Sequence, residues 1–378
     1  MGWGAPRPVT RVHPTGCLTE FAARVEAFVR TSAVATRSVS NLVTEVAVVG
    51  EGEERAPVSI NRSEYQNTWV CSPHTAYTRY AMEELERFGH TAFTLPLRAL
   101  CRGLGGYLWR AGVDDAVAIN NWLISTNLYP TFDRAMVRRW TAEARDRWPG
   151  HAIWFRSLNL RYTADWIAAL RDAGFLMIPS RQVYLYDHIE RQARRPQNLI
   201  RDLTLLATTE FIASPVEQWT LTDYDRAAEL YRLLYLEKYS RLNPDYSALF
   251  LRAWSQSGLL DLTGYRDASG VLQAVVGMFT LDLTITAPIV GYNTMLPQRL
   301  GLYRLLMATV YDRAARLRRR INLSAGAAGF KRLRGGVGTM EYSAVYVRHL
   351  PKPRRLAIAV LGLLARHVGE PIMQRFEL

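Results

Sequence analysis

The chain is short of cysteine and histidine. Its 378 residues hold three cysteines (Cys17, Cys71 and Cys101) and seven histidines. The cysteines have no paired short spacing, so neither a disulfide framework nor a CxxC zinc site is expected. The histidines do not cluster at ligand spacing, and no metal is expected. Cys71 and His74 lie near enough in sequence to raise a thiol nucleophile, yet no third orienting residue can be picked out beside them. Long apolar runs are missing as well. The first 30 residues lack the continuous apolar core of a signal peptide. The longest apolar run near the C-terminus, 356–364, is too short to span a bilayer. The expectation is a cytoplasmic protein with no transmembrane span.

Acid is scarce too, and its scarcity is local. Asp and Glu number 34 against 47 Lys and Arg, a net charge of +13. Between Arg299 and Arg355 stand fourteen basic residues and two acids, Asp312 and Glu341, a net +12. Nearly all of the excess therefore sits in one segment. Such a segment is either a solvated basic face or an attractor for something anionic: a nucleotide cofactor, an acidic acyl-carrier protein, tRNA or a membrane surface.

What is present is enough apolar residue, 49%, to build a core in each half of a chain that is long for one core. Strand and helix patterns alternate, so the fold class is α/β (α+β). Residues 1–40 read as an irregular extension with a short helix at 18–30. Residues 41–190 form a first domain. Strands are expected at 44–49, 69–71, 107–110, 116–125, 151–156 and 183–186. Helices are expected at 75–88 (stopped by Gly89), 133–148 and 164–173. The polar, Pro196-broken stretch 188–201 reads as a linker or inter-domain connection, and the connection is placed at 191–210. Residues 211–352 form a second domain, with helices at 223–239 (Thr222 as N-cap) and 248–257 and strands at 260–265, 272–281 and 288–292. Residues 353–378 carry a basic amphipathic helix, a docking helix on the fold or a peripheral membrane contact. Strand, X-Pro loop, helix and strand recur in the same order in both halves, which points to a duplicated unit.

The densest signal is 289–350. An apolar strand ends at Gly291, and a loop leads to Gln298-Arg299-Leu300-Gly301-Leu302-Tyr303, which opens a helix. Unpaired N–H groups and the positive end of the dipole at a helix start suit an anion. A strand at 321–323 follows, then a turn of small residues including Ser324 and Gly326, then Phe330-Lys331-Arg332-Leu333-Arg334-Gly335 and a last strand near 342–347. Gly-rich and Ala-rich backbone can approach a ligand closely. A second polar cluster, 236–246, links two helices and holds Glu237, Tyr239 and Asn243. In the first half, 65–80 concentrates Asn, Ser, His and Tyr, Tyr77 among them. Asn120, Asn121 and Trp122 interrupt an apolar strand, and polar groups there need partners or a cleft.

The second half resembles GNAT-superfamily acyltransferases, whose Gln/Arg-x-x-Gly-x-Gly/Ala loop is matched at 298–303, with Tyr303 in place of the small last residue. The two-unit layout and the Phe330-Lys331-x-x-Arg334-Gly335 turn resemble the FemAB-like branch. The resemblance covers 220–350 by motif and 40–190 by pattern. It implies tandem GNAT-like domains, each a mixed, mostly antiparallel sheet flanked by helices. The first would be a degenerate acceptor side and the second the donor-binding, catalytic side. It further implies donor contacts from Gln298, Arg299, Leu300, Gly301, Leu302, Tyr303, Ser324, Gly326, Phe330 and Arg334. Lys331 would steady an oxyanion, Glu237 would act as general base and Tyr239 as acid. Asn243, Tyr77, Asn121 and Trp122 would meet the acceptor. The activity expected is N-acyl transfer from an acyl thioester, acyl-CoA first, to an amine of a peptide, amino acid or natural product. The alternatives are a FemAB-type transferase using aminoacyl-tRNA, an acyl-carrier protein as donor, and a non-catalytic binding module.

Overall fold

A computed structural model describes residues 16–64, 67–87, 91–191 and 195–376. Eleven strands form one sheet: β1 Glu45–Val49, β2 Ala56–Arg62, β3 Asp115–Ile119, β4 Ala152–Asn159, β5 Leu176–Tyr186, β6 Ile212–Pro215, β7 Asp261–Arg266, β8 Leu272–Leu281, β9 Thr284–Tyr292, β10 Arg320–Asn322 and β11 Val337–Tyr346. Their order is β1-β2-β3-β4-β11-β5-β10-β9-β8-β7-β6. Two pairs are parallel, β3 with β4 and β9 with β10, and the others are antiparallel. Twelve α-helices accompany them: α1 Gly16–Ser38, α2 Ala81–Arg87, α3 Thr91–Arg110, α4 Arg134–Arg147, α5 Ala164–Asp172, α6 Gln197–Thr208, α7 Leu221–Arg232, α8 Ala248–Gln256, α9 Leu302–Leu317, α10 Ala328–Arg332, α11 Lys352–Leu364 and α12 Glu370–Phe376.

The duplication is visible in the pairing. β1-β2-β3-β4 and β7-β8-β9-β10 follow the same sequence of antiparallel, antiparallel and parallel pairs. Each unit then gives its last strand to the other. β11, from the second half, pairs with β4, while β5, from the first half, pairs with β10. β5 and β11 also pair with each other, from Val337 opposite Leu185 to Val345 opposite Leu176, which closes the sheet between the units.

Alternation along the strands sends side chains to two faces. One face carries a continuous core fed by α1, α4, α5, α7 and α8, with Trp122, Trp140, Phe155, Trp254 and Phe279 within it. α1 crosses both units, because Phe28 packs edge-on to Trp122 (5.5 Å) and to Trp254 (5.9 Å). The opposite face carries two smaller cores. One lies under α6 and α9, the other under α3 and α11.

Several sequence expectations change here. Residues 107–110 end α3 and are not a strand, and 69–71 form a turn. The strand expected over 116–125 stops at Ile119, because Asn120 turns into left-handed backbone (φ 56°). The stretch read as a connection contains α6, whose Leu199 and Asp202 are fully buried. The N-cap of α7 is Thr220, in a capping box with Asp223, and not Thr222. The expected helix stop at Gly89 lies outside the described residues. The C-terminal helix runs unbroken from Lys352 to Phe376, well past the apolar run counted in sequence, and is long and apolar enough to cross a membrane by length and composition.

A core continuous across both units predicts one cooperative transition. Calorimetric unfolding is expected to give a single peak with matching calorimetric and van't Hoff enthalpies. Two separable transitions assignable to the halves would contradict it.

Candidate active site at the junction of the two units

The helix-start loop forms as its sequence predicts. A Cβ on Gly291 would meet the backbone of Leu230 and Tyr231 at 2.5 Å, so only glycine lets β9 lie this close to α7. Residues 298–300 make a 3-10 turn, and Gly301 takes left-handed backbone (φ 67°) to enter α9, whose first turn no side chain caps. Gln298 and Arg299 are exposed, while Leu302 belongs to the core beneath. Tyr303 turns toward the junction. Its ring packs at 4.9 Å from Phe330 and 6.3 Å from Tyr292.

The second element is the turn after β10. Pairing of β9 with β10 stops at Thr286 and Asn322, and the two chains then separate. Ser324 (φ 58°), Gly326 (φ 78°) and Ala327 (φ 50°) bend the chain back into α10. The turn is held by Lys331, which is 3% exposed. Its ammonium donates to the carbonyl oxygens of Leu323 (2.7 Å), Ser324 (3.2 Å) and Ala325 (2.8 Å). All three of its N–H donors thus have acceptors. Lys331 is placed to shape the turn and add charge, with no donor left over for an oxyanion. Burial, and then the field of Arg181, pulls it down to about 7.

Arg334 serves the same region from behind. It is 6% exposed, ion-paired to the buried Asp202 of α6 and hydrogen-bonded to Phe330 O. Arg304 Nε meets the other oxygen of Asp202 at 2.7 Å. The guanidinium expected to hold the donor is therefore committed to the fold, as is the Phe330 ring beneath it, 3.4 Å from the Arg334 Cζ.

Between the units lies a cavity of about 540 Å³. Tyr303, Met307 and Ser324–Ala328 line one end, with Lys331. Its centre is polar. Arg156 and Arg181 both lie against Trp69, with Cζ at 5.1 and 4.9 Å from the ring. Arg181 donates to Glu341 Oε1 (2.7 Å) and to Ser125 O (2.6 Å). Arg156 donates to Val70 O (2.6 Å) and Asn121 Oδ1 (3.1 Å). Burial, then Arg181, lowers Arg156 to about 10, which leaves it charged at neutral pH. Glu341 is 3% exposed, and its Oε2 has no hydrogen-bond partner. The roof is apolar, with Leu85, Leu100 and Leu104 on one side and Leu361, Leu364 and Ile372 on the other.

The site residues expected from sequence divide accordingly. Tyr77, Tyr239, Asn243, Tyr303, Ser324, Gly326 and Lys331 line the cavity. Asn243 does so as a brace, because its Oδ1 accepts from Trp69 Nε1 (2.9 Å) and its amide nitrogen donates to Tyr235 O (3.0 Å). Glu237 is exposed on the π-helical turn Leu233–Tyr239 and is not part of the lining. Trp122 is a core residue, fully buried between Phe28 and Phe279, with Nε1 on Asn120. Asn121 is also buried and donates to Ser59 and Val70. The thiol of Cys71 is pushed up by burial, and His74 bonds instead to Gly105 O (3.0 Å). Among the described residues no three His, Cys, Asp or Glu gather as a metal site. Trp69, Arg156, Arg181 and Glu341 were missed. For Arg156, Arg181 and Glu341 the available signal was a charge inside an otherwise apolar strand.

No protein-family model matches the sequence, and no curated protein matches it. Solved structures do. The C-terminal domain of a predicted lysylphosphatidylglycerol synthetase from Agrobacterium fabrum is 12% identical, with a TM-score of 0.50, over 90% of this chain and 96% of that one. FemX is 7% identical, with a TM-score of 0.47, over 62% and 81%. A GCN5-related N-acetyltransferase from Kribbella flavida is 11% identical, with a TM-score of 0.37, over 87% and 94%. The chain has a GNAT-like fold of two units.

Two substitutions test these placements. Asp202→Ala leaves Arg334 buried without its carboxylate and is expected to cost about 3–5 kcal/mol in denaturant unfolding. Trp122→Ala is expected to cost about 3–5 kcal/mol by opening a core cavity, with ligand affinity of the folded fraction unchanged. A loss of affinity without loss of stability would return Trp122 to the site.

Proposed function

We propose that the protein is a transferase that moves an aminoacyl group from a tRNA ester to a hydroxyl or amine of a phosphate-bearing amphiphile. The carrying observation is the cavity. Arg156 and Arg181 lie beneath an apolar roof, Arg181 paired with Glu341, and Lys331 and Glu84 line the same cavity. Arg156 has no carboxylate ion pair among the described residues, and a phosphate answers a guanidinium held where little water screens it. The roof answers an acyl chain. The name lysylphosphatidylglycerol synthetase, borne by one neighbour that spans 90% of this chain, describes an aminoacyl ester of such a lipid.

The reaction is written on this chain's groups as follows. The acceptor's hydroxyl or amine loses its proton to the unpartnered Oε2 of Glu341 and attacks the ester carbonyl carbon. The tetrahedral oxyanion collapses and the bond to the tRNA 3′-oxygen breaks. That oxygen takes up a proton from Glu341 or from Tyr239, which lines the same cavity. Glu341 thus takes the role expected of Glu237. Support for tRNA comes from the FemAB resemblance and from Tyr303, a large ring where a coenzyme A loop needs a small residue.

A second reading keeps acyl-CoA as donor and an amine as acceptor. It is favoured by the left-handed Gly301 and the α9 start that no side chain caps, which offer backbone donors to a pyrophosphate.

Labelled aminoacyl-tRNA and labelled acyl-CoA, each offered with mixed acidic phospholipids and amines, discriminate the two. Label passing from tRNA into the organic phase is expected, and transfer from acyl-CoA alone installs the second reading. Transfer from neither removes both. Glu341→Gln is expected to lower kcat by about 10²–10⁴-fold, and Arg181→Met to raise KM chiefly.

Binding of a short-chain anionic phospholipid is also expected to depend on pH. Below about 7, Lys331 keeps its proton and adds a positive charge. Affinity therefore falls as pH rises through that value, and Lys331→Met flattens the profile at the weaker level. A wild-type profile that stays level between about pH 6 and about pH 9 would contradict this.

A further inference from the structure

The helix from Lys352 to Phe376 has two faces with different surroundings. Inward, Ala357, Ile358 and Leu361 are buried against the sheet, and Leu364, Val368 and Ile372 roof the cavity. Outward, Leu356 and Leu363 are 60% and 58% exposed. Only 17% of its most apolar stretch is buried. α3 packs beside it, sharing Leu108 with the same small core, and shows Leu95 and Leu100 along with Tyr107 and Trp109. The charge on this surface is mostly positive. α3 and residues 352–376 together carry eight Arg and Lys and one acid, Glu370. Arg354 is paired with Asp115.

We infer that α3 and the 352–376 helix form a docking surface for a bilayer leaflet rich in anionic phospholipid, through which the amphiphilic acceptor enters the cavity. Exposed leucines beside Trp and Tyr, flanked by arginines, suit the level of the headgroups. Each Lys or Arg near an anionic surface adds attraction that falls off within a Debye length. The helix lies along the leaflet and does not cross it, since its inner face is already packed on β5 and β11 through Ile178 and Val345. The same helix bounds the cavity, so a lipid moving from the leaflet past it keeps its chains in apolar surroundings while its phosphate reaches Arg156 and Arg181. The entry route rests on the acceptor proposed above. The docking itself does not.

Flotation of the full chain with vesicles is the test. Vesicles containing about one third phosphatidylglycerol are expected to carry the protein up, and vesicles of phosphatidylcholine alone are not. High salt should release it. The double variant Leu356→Glu, Leu363→Glu is expected to lose at least tenfold in vesicle partitioning. Neither residue lines the cavity, so transfer to a detergent-dispersed short-chain acceptor should be unchanged in it, which also verifies folding. Lys352→Ala and Arg355→Ala are each expected to weaken partitioning about fivefold. The inference is overturned if the double variant floats like wild type, or if neutral vesicles bind equally. It is also overturned if the chain resists both salt and alkaline extraction as a spanning helix would. Salt-sensitive flotation with no transfer to any acceptor would leave the docking surface standing and remove the proposed activity.

Discussion

The exchange of β5 and β11 is the constraint on which the rest of the structure depends. A strand edge left open inside a protein carries unpaired backbone donors and acceptors, and it must be closed or covered. Here the edge of β4 is closed by a strand from the second half, and the edge of β10 by a strand from the first. Neither unit is complete without the other. The exchange also decides where the cavity lies. The parallel pairs β3·β4 and β9·β10 each stop pairing after a few residues, and the chains beyond them diverge. Because β5 and β11 run between these two openings, both face one space, with Arg181 and Glu341 supplied by the crossing strands themselves.

Much of this was legible in sequence where the cause is local. The helix start at 298–303 and the small-residue turn before Lys331 are properties of a few adjacent residues, and each forms as expected, while the left-handed Gly301 and the glycine-only approach at Gly291 appear only in the structure. The two-unit fold was legible because strand, loop, helix and strand repeat. The roles of particular side chains were less so. Trp122 beside two asparagines looked like a cleft residue, yet Asn120, in left-handed backbone, bonds the Trp122 indole within a packed core. Glu237 sits in the right segment and on the outside of a π-helical turn, a register that period 3.6 does not anticipate.

The basic segment shows most plainly what a window along the chain cannot see. Counted by itself, 299–355 is a block of positive charge. In three dimensions its arginines reach acids from elsewhere. Arg304 and Arg334 pair with Asp202, Arg313 with Asp261, and Arg354 with Asp115. Asp202 lies in 191–210, the segment placed as a connection. Its burial between two guanidiniums ties α6 to α9 and to the turn after α10, beside the apolar packing of Leu199.

Three acids from outside answer four of the segment's fourteen basic residues, and two of the three cations at the cavity come from elsewhere. Arg156 and Arg181 come from β4 and β5 and lie against the Trp69 ring, with Glu341 on Arg181 and Lys331 adding its charge when protonated. Guanidiniums suit this place because they are weakly hydrated, stack on an indole and stay charged even when burial lowers them. An ammonium does not stay charged so readily, and Lys331 is the only one of the three near its titration point at neutral pH. The two arginines are therefore the fixed part of the field and the lysine the adjustable part. Since Lys331 also ties down the turn at Leu323–Ala325, any change in its protonation acts on the donor end of the cavity at the same time as on the charge presented to the acceptor.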